Sequence, residues 1–550
     1  MKLKYAVKLV LHLIFVIAVF GIVLLAGCIH LKGNDDYYDY IASQETLRQI
    51  EPIELKEAEE EDKIYTPDKD EPEPAEFEIS LEECRALALE NNLDLKVQLI
   101  NPAIAAESVY EAEANKYESV FSVNAIYQEQ NTPVAGYLDE ISGSKVDATY
   151  VDYGVKIPLK TGGDISFNLT DYRIKTDALN SIYNPRYSSN FTASISQPLL
   201  RDAGRRASTY SIRATEYDSQ ISDAQTKNQA ISIIAEIDRA YWNLYAERRS
   251  LDVRKQEYNL AKDLSEETKR LVELGMKPEI ELIWARAREA ESLEAIITAE
   301  NSVRDMERDL KLKLNKPSLG VKTDTELILS TEPDPVHYEF DKEQIVKKAI
   351  ENRMDMLLLE LGLAKDESTV EYRRNQLYPD VNLQYDYGIN SLGATRHDSY
   401  DMLYDNKYND HTITLSLSMP LGNKAAKSRL RMAEYERAKQ LINIDKKKAQ
   451  IEYEVLGGID QLEASWQSIL ASRQTTMYRD RQYNAEKRQY ELGMQTLRDV
   501  LLAQKALAEA HRNEIVALTD YQKYLIDLAY YTGTLLGAAK VELEPIIPEN

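Results

Sequence analysis

Covalent chemistry has one evident candidate in this sequence: Cys28, a thiol that follows Leu25-Ala26-Gly27 at the end of an apolar run. Small residues in front of it suit a proteolytic cut at the end of the apolar run. The other reactive groups are dispersed. Six His are scattered along 550 residues, Cys84 is the second cysteine, and neither a Gly-rich phosphate loop nor a nucleophile beside a base is present. No enzyme activity, cofactor or metal is therefore expected. Cys28 and Cys84 could in principle form one disulfide, which is not expected because the place of Cys28 suits another use. A formal net charge of -25 argues against nucleic acid, whose phosphates need clustered Lys and Arg.

The segment that presents Cys28 has the form of a secretory signal. Lys2 and Lys4 supply positive charge, Leu9 to Leu25 is apolar apart from His12, and the cysteine comes directly after the small residues. An uncleaved anchor is the competing reading, since the run approaches the length of a short span. The Leu-Ala-Gly-Cys sequence resembles the bacterial lipobox, which favours cleavage after residue 27 and diacylation of Cys28. Ile29 in place of Asp favours the outer membrane by analogy with bacterial lipoproteins. Residues 28–79 are then an acidic tether rich in Pro and Tyr, too polar to fold alone.

The rest of the chain contains one unit twice. Lys269-Arg-Leu-Val-Glu-Leu-Gly-Met276 returns as Lys487-Arg-Gln-Tyr-Glu-Leu-Gly-Met494, Glu90-Asn91 and Asp94 return as Glu351-Asn352 and Asp355, and Ser194 to Pro198 returns as Ser416 to Pro420. Order and spacing together indicate duplication. The expected organisation is a first repeat at 80–318, a linker at 319–340, a second repeat at 341–538 and a tail at 539–550. With 17 Pro and 20 Gly, long helices are the simplest content for so long a chain.

Between the helical patterns lie alternating segments: Phe121–Tyr127, Tyr150–Pro158, Gly163–Tyr172, Asn190–Pro198, Asp380–Gly388 and His411–Met419. Apolar residues on one side and Ser, Thr or Asn on the other fit strands that cross a bilayer with one face toward water. The surplus of amphipathic aromatics, 36 Tyr against 7 Phe, suits such surfaces. A spanning sheet must leave no edge in lipid, and single-chain barrels begin at eight strands. Four to six strands must therefore be a fraction of a barrel shared by a cyclic oligomer.

The final helical pattern has two seams. Leu497, Val500, Gln504, Leu507, His511, Glu514, Leu518, Tyr521, Leu525 and Leu528 form one at three- and four-residue steps, and Ala503, Ala506, Ala510, Asn513 and Ala517 form a second. Two seams suit a helix with a neighbour on each side, as in a tube.

These motifs, in this order and in duplicate, resemble the TolC-like outer-membrane efflux proteins of the lipid-anchored branch, from about Leu81 to Gly537. The resemblance implies an α+β membrane protein: a trimeric outer-membrane β-barrel continued by a long periplasmic α-helical coiled-coil barrel, with two internal repeats. The family standard is four strands per subunit against six candidates here. The surplus hairpin around Lys160-Thr-Gly-Gly163 is open to two readings, an elaboration at the rim or two further spans. By resemblance the duct would passively export substrates in a tripartite efflux or type I secretion system, with a periplasmic adaptor and an inner-membrane pump as partners. The alternative is an adaptor or structural lipoprotein without a pore. Leu274, Gly275, Met276, Leu492, Gly493 and Met494 match the periplasmic tips that adaptors grip. Glu281 and Asp499, six residues beyond each glycine, match the acids that ring the narrow mouth. Where some relatives carry a further acid, Leu502 stands in this chain.

Overall fold

Each of the six alternating segments forms a strand, and the strands join in one antiparallel sheet. The computed structural model describes residues 76–133, 144–178 and 181–538; Cys28, the tether up to residue 75 and the tail at 539–550 lie outside the described residues. Residues 76–79, expected as the end of the tether, form a strand whose Ile79 is buried in the core. After a short β1 (Glu76–Ile79), the sheet comprises β2 (Val120–Asn131), β3 (Lys145–Pro158), β4 (Asp164–Thr176), β5 (Arg186–Pro198), β7 (Asp380–Ile389) and β8 (Asn409–Ser418), in that order. β6 (Glu326–Leu329) pairs instead in parallel with β1, as a separate two-stranded sheet.

Through the part of the sheet adjoining the helices, register keeps the two faces chemically distinct; beyond it Asp147, Asp171, Arg173 and Lys175 fall on the first face and Ile126, Tyr150, Tyr172 and Ile174 on the second. One transverse row runs Phe121, Val155, Phe167, Ala193, Tyr387, His411, and its neighbour runs Ser122, Gly154, Asn168, Thr192, Gly388, Asp410. Ile165, Ile195, Tyr385 and Ile413 continue the first face; Ser166, Ser194, Gln384 and Thr414 continue the second. Because side chains alternate with period two, a slip of one residue at any pair would exchange these faces.

The additional hairpin is interior to the sheet. β3 is paired with β2 from Val120 to Asn131 and with β4 along its other edge, so this hairpin is not an appendage at the rim. Its turn is fixed by Gly162, whose φ is +94°, and a Cβ there would stand 2.5 Å from the Asp202 carbonyl oxygen. The Gly204 N–H donates to the Thr161 carbonyl at 3.0 Å, and the Ser208 hydroxyl donates to the Lys160 carbonyl at 2.8 Å. These bonds tie the turn to the segment that opens the following long helix.

The helices fall into two matching series. α1 (Leu81–Asn91) and α2 (Leu93–Tyr117) precede the first strands, and α3 (Tyr210–Glu273) and α4 (Glu279–Leu314) form a hairpin after β5. α5 (Lys342–Asn352) and α6 (Met354–Asn375) precede β7; a short α7 (Arg396–Tyr404) joins β7 to β8; α8 (Lys424–Glu491) and α9 (Leu497–Tyr531) form the second hairpin. α3 has 64 residues and α8 has 68, and at 1.5 Å per residue each is roughly 100 Å long. α1 and α5 are both 11 residues long, and each is followed after a single extended residue by the next helix. Ser80 and Glu83 close a capping box on α1, while Asn92 caps α2 by accepting the Leu95 N–H at 3.0 Å and donates to the Lys313 carbonyl at 2.9 Å.

α3 is central: it packs against α2, α4, α6 and α9, while α8 packs against α6 and α9. The final helix thus has neighbours in both halves, as its two seams require. Ala503, Ala510 and Ala517 are buried along with Val500, Tyr521 and Leu528, whereas His511 is exposed. One core joins Ile79, Leu95, Ile234, Tyr241, Leu310 and Leu327; another joins Met356, Ile451, Leu462, Tyr521 and Leu528. Arg85 crosses from α1 to α3 with two 2.7 Å bonds to the fully buried Asp238. Burial pushes the Asp238 carboxyl up even against that guanidinium. Cys84 is buried beside it, and its thiol is pushed up to about 12, chiefly by desolvation, so it is chemically inert. No helix among the described residues is long and apolar enough to cross a membrane.

Candidate functional site: the hairpin tips

The repeated octapeptide forms two turns of the same geometry. Gly275 and Gly493 both have φ of +72°, the left-handed conformation that glycine adopts without penalty. The Gly275 N–H donates to the Val272 carbonyl and the Met276 N–H to the Leu271 carbonyl, both at 2.9 Å. Gly493 and Met494 repeat the pair with the Tyr490 carbonyl at 2.9 Å and the Gln489 carbonyl at 2.8 Å. These are Schellman caps, and they satisfy the last carbonyls of α3 and α8 without a side chain. The side chains are left pointing outward. Leu274, Met276, Leu492 and Met494 are 72%, 70%, 71% and 67% exposed, an unusual display for large apolar groups at the ends of helices.

The two acids just beyond the turns are held differently. Glu281 lies in the first turn of α4, where its carboxylate accepts the Tyr490 hydroxyl at 3.2 Å and stands 3.6 Å from the Lys277 ammonium. Lys277 in turn lies 4.2 Å from the centre of the Tyr490 ring. Burial and the Glu281 charge push the Tyr490 phenol up to about 12, so it remains a donor throughout the physiological range. Asp499 is at the third position of α9, where it accepts the Thr496 N–H at 3.2 Å in a capping box. Both acids therefore also serve the helix N-termini, where negative charge is favourable.

Tyr490 and the residues behind it join the two hairpins. Ala285 of α4 packs with Tyr490, Leu497, Val500 and Leu501 in one buried cluster. Further from the tips, Glu257 of α3 receives Arg288 from α4 and Arg512 from α9, the latter at 3.3 Å, and the Gln504 side chain donates to the Glu257 carbonyl at 3.3 Å. Sequence reasoning singled out the tips, the acids and Gln504 but missed Tyr490, Lys277, Arg288 and Arg512. A Tyr in place of Val at the fourth position of the second octapeptide was the available signal. Among the described residues no cluster of His, Cys, Asp and Glu could hold a metal ion.

A strand sheet with an apolar and a polar side, continued by helices of more than sixty residues that end in exposed turns, is the build of a membrane channel subunit. Residues 164–316 and 345–534 match the family described as outer membrane efflux protein, more than half of the chain, and the chain belongs to that family. It is similar to outer membrane protein TolC of Vibrio cholerae, with 22% identity over 358 residues, 64% of this chain and 78% of that protein. Its fold is similar to that of a membrane protein from Pseudomonas aeruginosa, with TM-score 0.63, 15% identity and coverage of 82% of this chain and 90% of that one. It is likewise similar to the CmeC outer membrane channel of Campylobacter jejuni, with TM-score 0.60, 16% identity and coverage of 83% and 86%.

Proposed function

We propose that three copies of this chain form a passive exit duct in the outer membrane, through which an inner-membrane pump and a periplasmic adaptor discharge their substrates. The observation that carries the reading is the division of six strands into an apolar and a polar face over the part of the sheet that adjoins the helices, on a chain of the outer membrane efflux family. Efflux through tripartite machinery or type I secretion both fit this role. In this reading the unit comprises a lipoprotein signal at 1–27, a tether from the acylated Cys28 that ends where β1 begins at Glu76 rather than at residue 79, repeats at 80–318 and 341–538 around a linker at 319–340, and a tail at 539–550. The four exposed apolar side chains at the tips are the surface on which adaptor helices dock, and Gly275 and Gly493 keep that surface free of a Cβ.

Glu281 and Asp499, three of each in the assembly, give the periplasmic mouth a negative potential that favours cations. Lys277 offsets part of the Glu281 charge, so Asp499 contributes more. Single-channel recording in planar bilayers tests the whole reading. Purified protein is expected to conduct, and Asp499→Ala to lower the cation-to-anion permeability ratio more than Glu281→Ala. Both effects should shrink between 0.1 M and 1 M salt, as the screening length falls from about 10 Å to about 3 Å. Absence of any channel, in the native chain and in the double variant alike, sinks the duct.

A further inference from the structure

We infer that the membrane portion closes as an eighteen-stranded barrel, six strands from each of three copies, with β8 of one copy paired antiparallel to β2 of the next. The inference deepens the trimeric duct reading and rests on it for the number of copies. Its substance is the seam and the width of the exit. Both come from this chain's own sheet.

β2 and β8 stand at the two ends of the strand order and are its longest open edges, 12 and 10 residues, exposed at every position. Edges of that length, flanked by apolar side chains, are templates for pairing in water and forbidden in lipid, where each backbone N–H and C=O must be bonded. The sheet is antiparallel throughout and has an even number of strands, so β2 and β8 run in opposite directions. β8 of one copy can therefore meet β2 of another without breaking the alternation. The faces match as well. Ile413, Leu415 and Leu417 of β8 lie on the same side of the sheet as Phe121 and Val123 of β2, so the seam continues the apolar band on one side and the Ser, Thr and Asn face on the other.

The interior place of β3 and β4 sets the width. They cannot leave the ring without breaking the full-length ladders to β2 and β5 and the bonds from the Lys160-Thr161 turn to Ser208 and Gly204. Six strands are too few to close alone. With three copies the circumference is that of a porin-sized barrel, which leaves an aqueous channel, and its diameter is about 1.5 times that of a barrel with four strands per copy. The outer exit is then the wide end of the duct, and selection by size falls to the tips.

Disulfide mapping in native outer membranes decides it. In a chain carrying Cys84→Ala, Val123→Cys is combined in turn with Ile413→Cys, Leu415→Cys and Leu417→Cys, and at least one pair is expected to give a covalent three-chain species on a non-reducing denaturing gel. Ala125→Cys, on the same face, replaces Val123→Cys if the latter impairs insertion. Phe167→Cys on β4, combined with the same β8 cysteines, is expected to give no link between chains. A link from β4 to β8, or no link at all from β2 in particles whose native mass is three chains, overturns the eighteen-stranded seam and leaves the trimer standing. A native mass other than three chains removes the trimeric reading itself.

Discussion

Gly493 carries a requirement that few residue types meet at low cost. Its φ of +72° places it where an L side chain is strained, yet nothing lies within 4 Å of a Cβ built there, so the penalty is purely one of backbone conformation. Gly493→Val is expected to cost about 1–3 kcal/mol locally, for a bulky residue forced into that region. Because the turn projects away from both cores, the loss should loosen the tip rather than the assembly. Substrate export in whole cells should fall while the trimer survives on native gels; loss of the trimer would count against a docking role for the tip. The turn was legible in the sequence because a glycine-based cap is encoded within eight consecutive residues. The hydroxyl of Tyr490 on Glu281 was not, since the partners are separated by 209 positions and meet only when one hairpin lies against the other.

Among the elements, the strands were the most legible, because period two over ten residues needs no knowledge of the partner. Which strands are interior was not legible. Alternation is the same for a rim hairpin and for a full span, and only the ladders from β2 through β5 distinguish them. The helical hairpins were visible from their turns, but what fixes one hairpin to the other was hidden in charged residues that a sequence assigns to solvent. Glu257 is such a residue: it is buried on α3 between the guanidinium groups of Arg288 on α4 and Arg512 on α9. Taking the anion away leaves two cations facing each other in a poorly hydrated place, a change that typically costs about 3–5 kcal/mol. Glu257→Leu is accordingly expected to lower the guanidinium unfolding midpoint, followed by far-UV circular dichroism. The triple variant Glu257→Leu, Arg288→Met, Arg512→Met should recover most of the loss, since a fully apolar replacement leaves no unpaired charge. Equal midpoints for the single and triple variants would show that the triad is not what couples the hairpins.

At the scale of the whole molecule, the open helical flanks complement the open strands. α2 exposes Leu93, Val97, Ile100 and Ile104, at steps of four, three and four residues, and α8 exposes Met432, Tyr435, Ile442 and Tyr453 along one stripe. Apolar stripes of this length, on helices that are not apolar enough to cross a membrane, mark surfaces that protein would cover. They lie on the two flanks of the helical layer, α8 on one side and α2 with α4 on the other, while α3, α6 and α9 occupy the middle. A ring of copies that pairs β8 with β2 brings these same flanks together, so one rotation closes sheet and tube at once. Ile442→Asp should therefore break the assembly without unfolding the chain. Ile442 is 67% exposed in the single chain, so its replacement leaves the protomer cores intact. In the ring it forfeits about 2 kcal/mol of apolar burial at each seam, which is about thirtyfold in dissociation constant before the cost of burying the carboxylate is added. Native mass spectrometry in detergent should then record single chains, with far-UV ellipticity unchanged. Intact trimers from Ile442→Asp would move the contact away from this stripe and leave the strand seam as the sole attachment between copies.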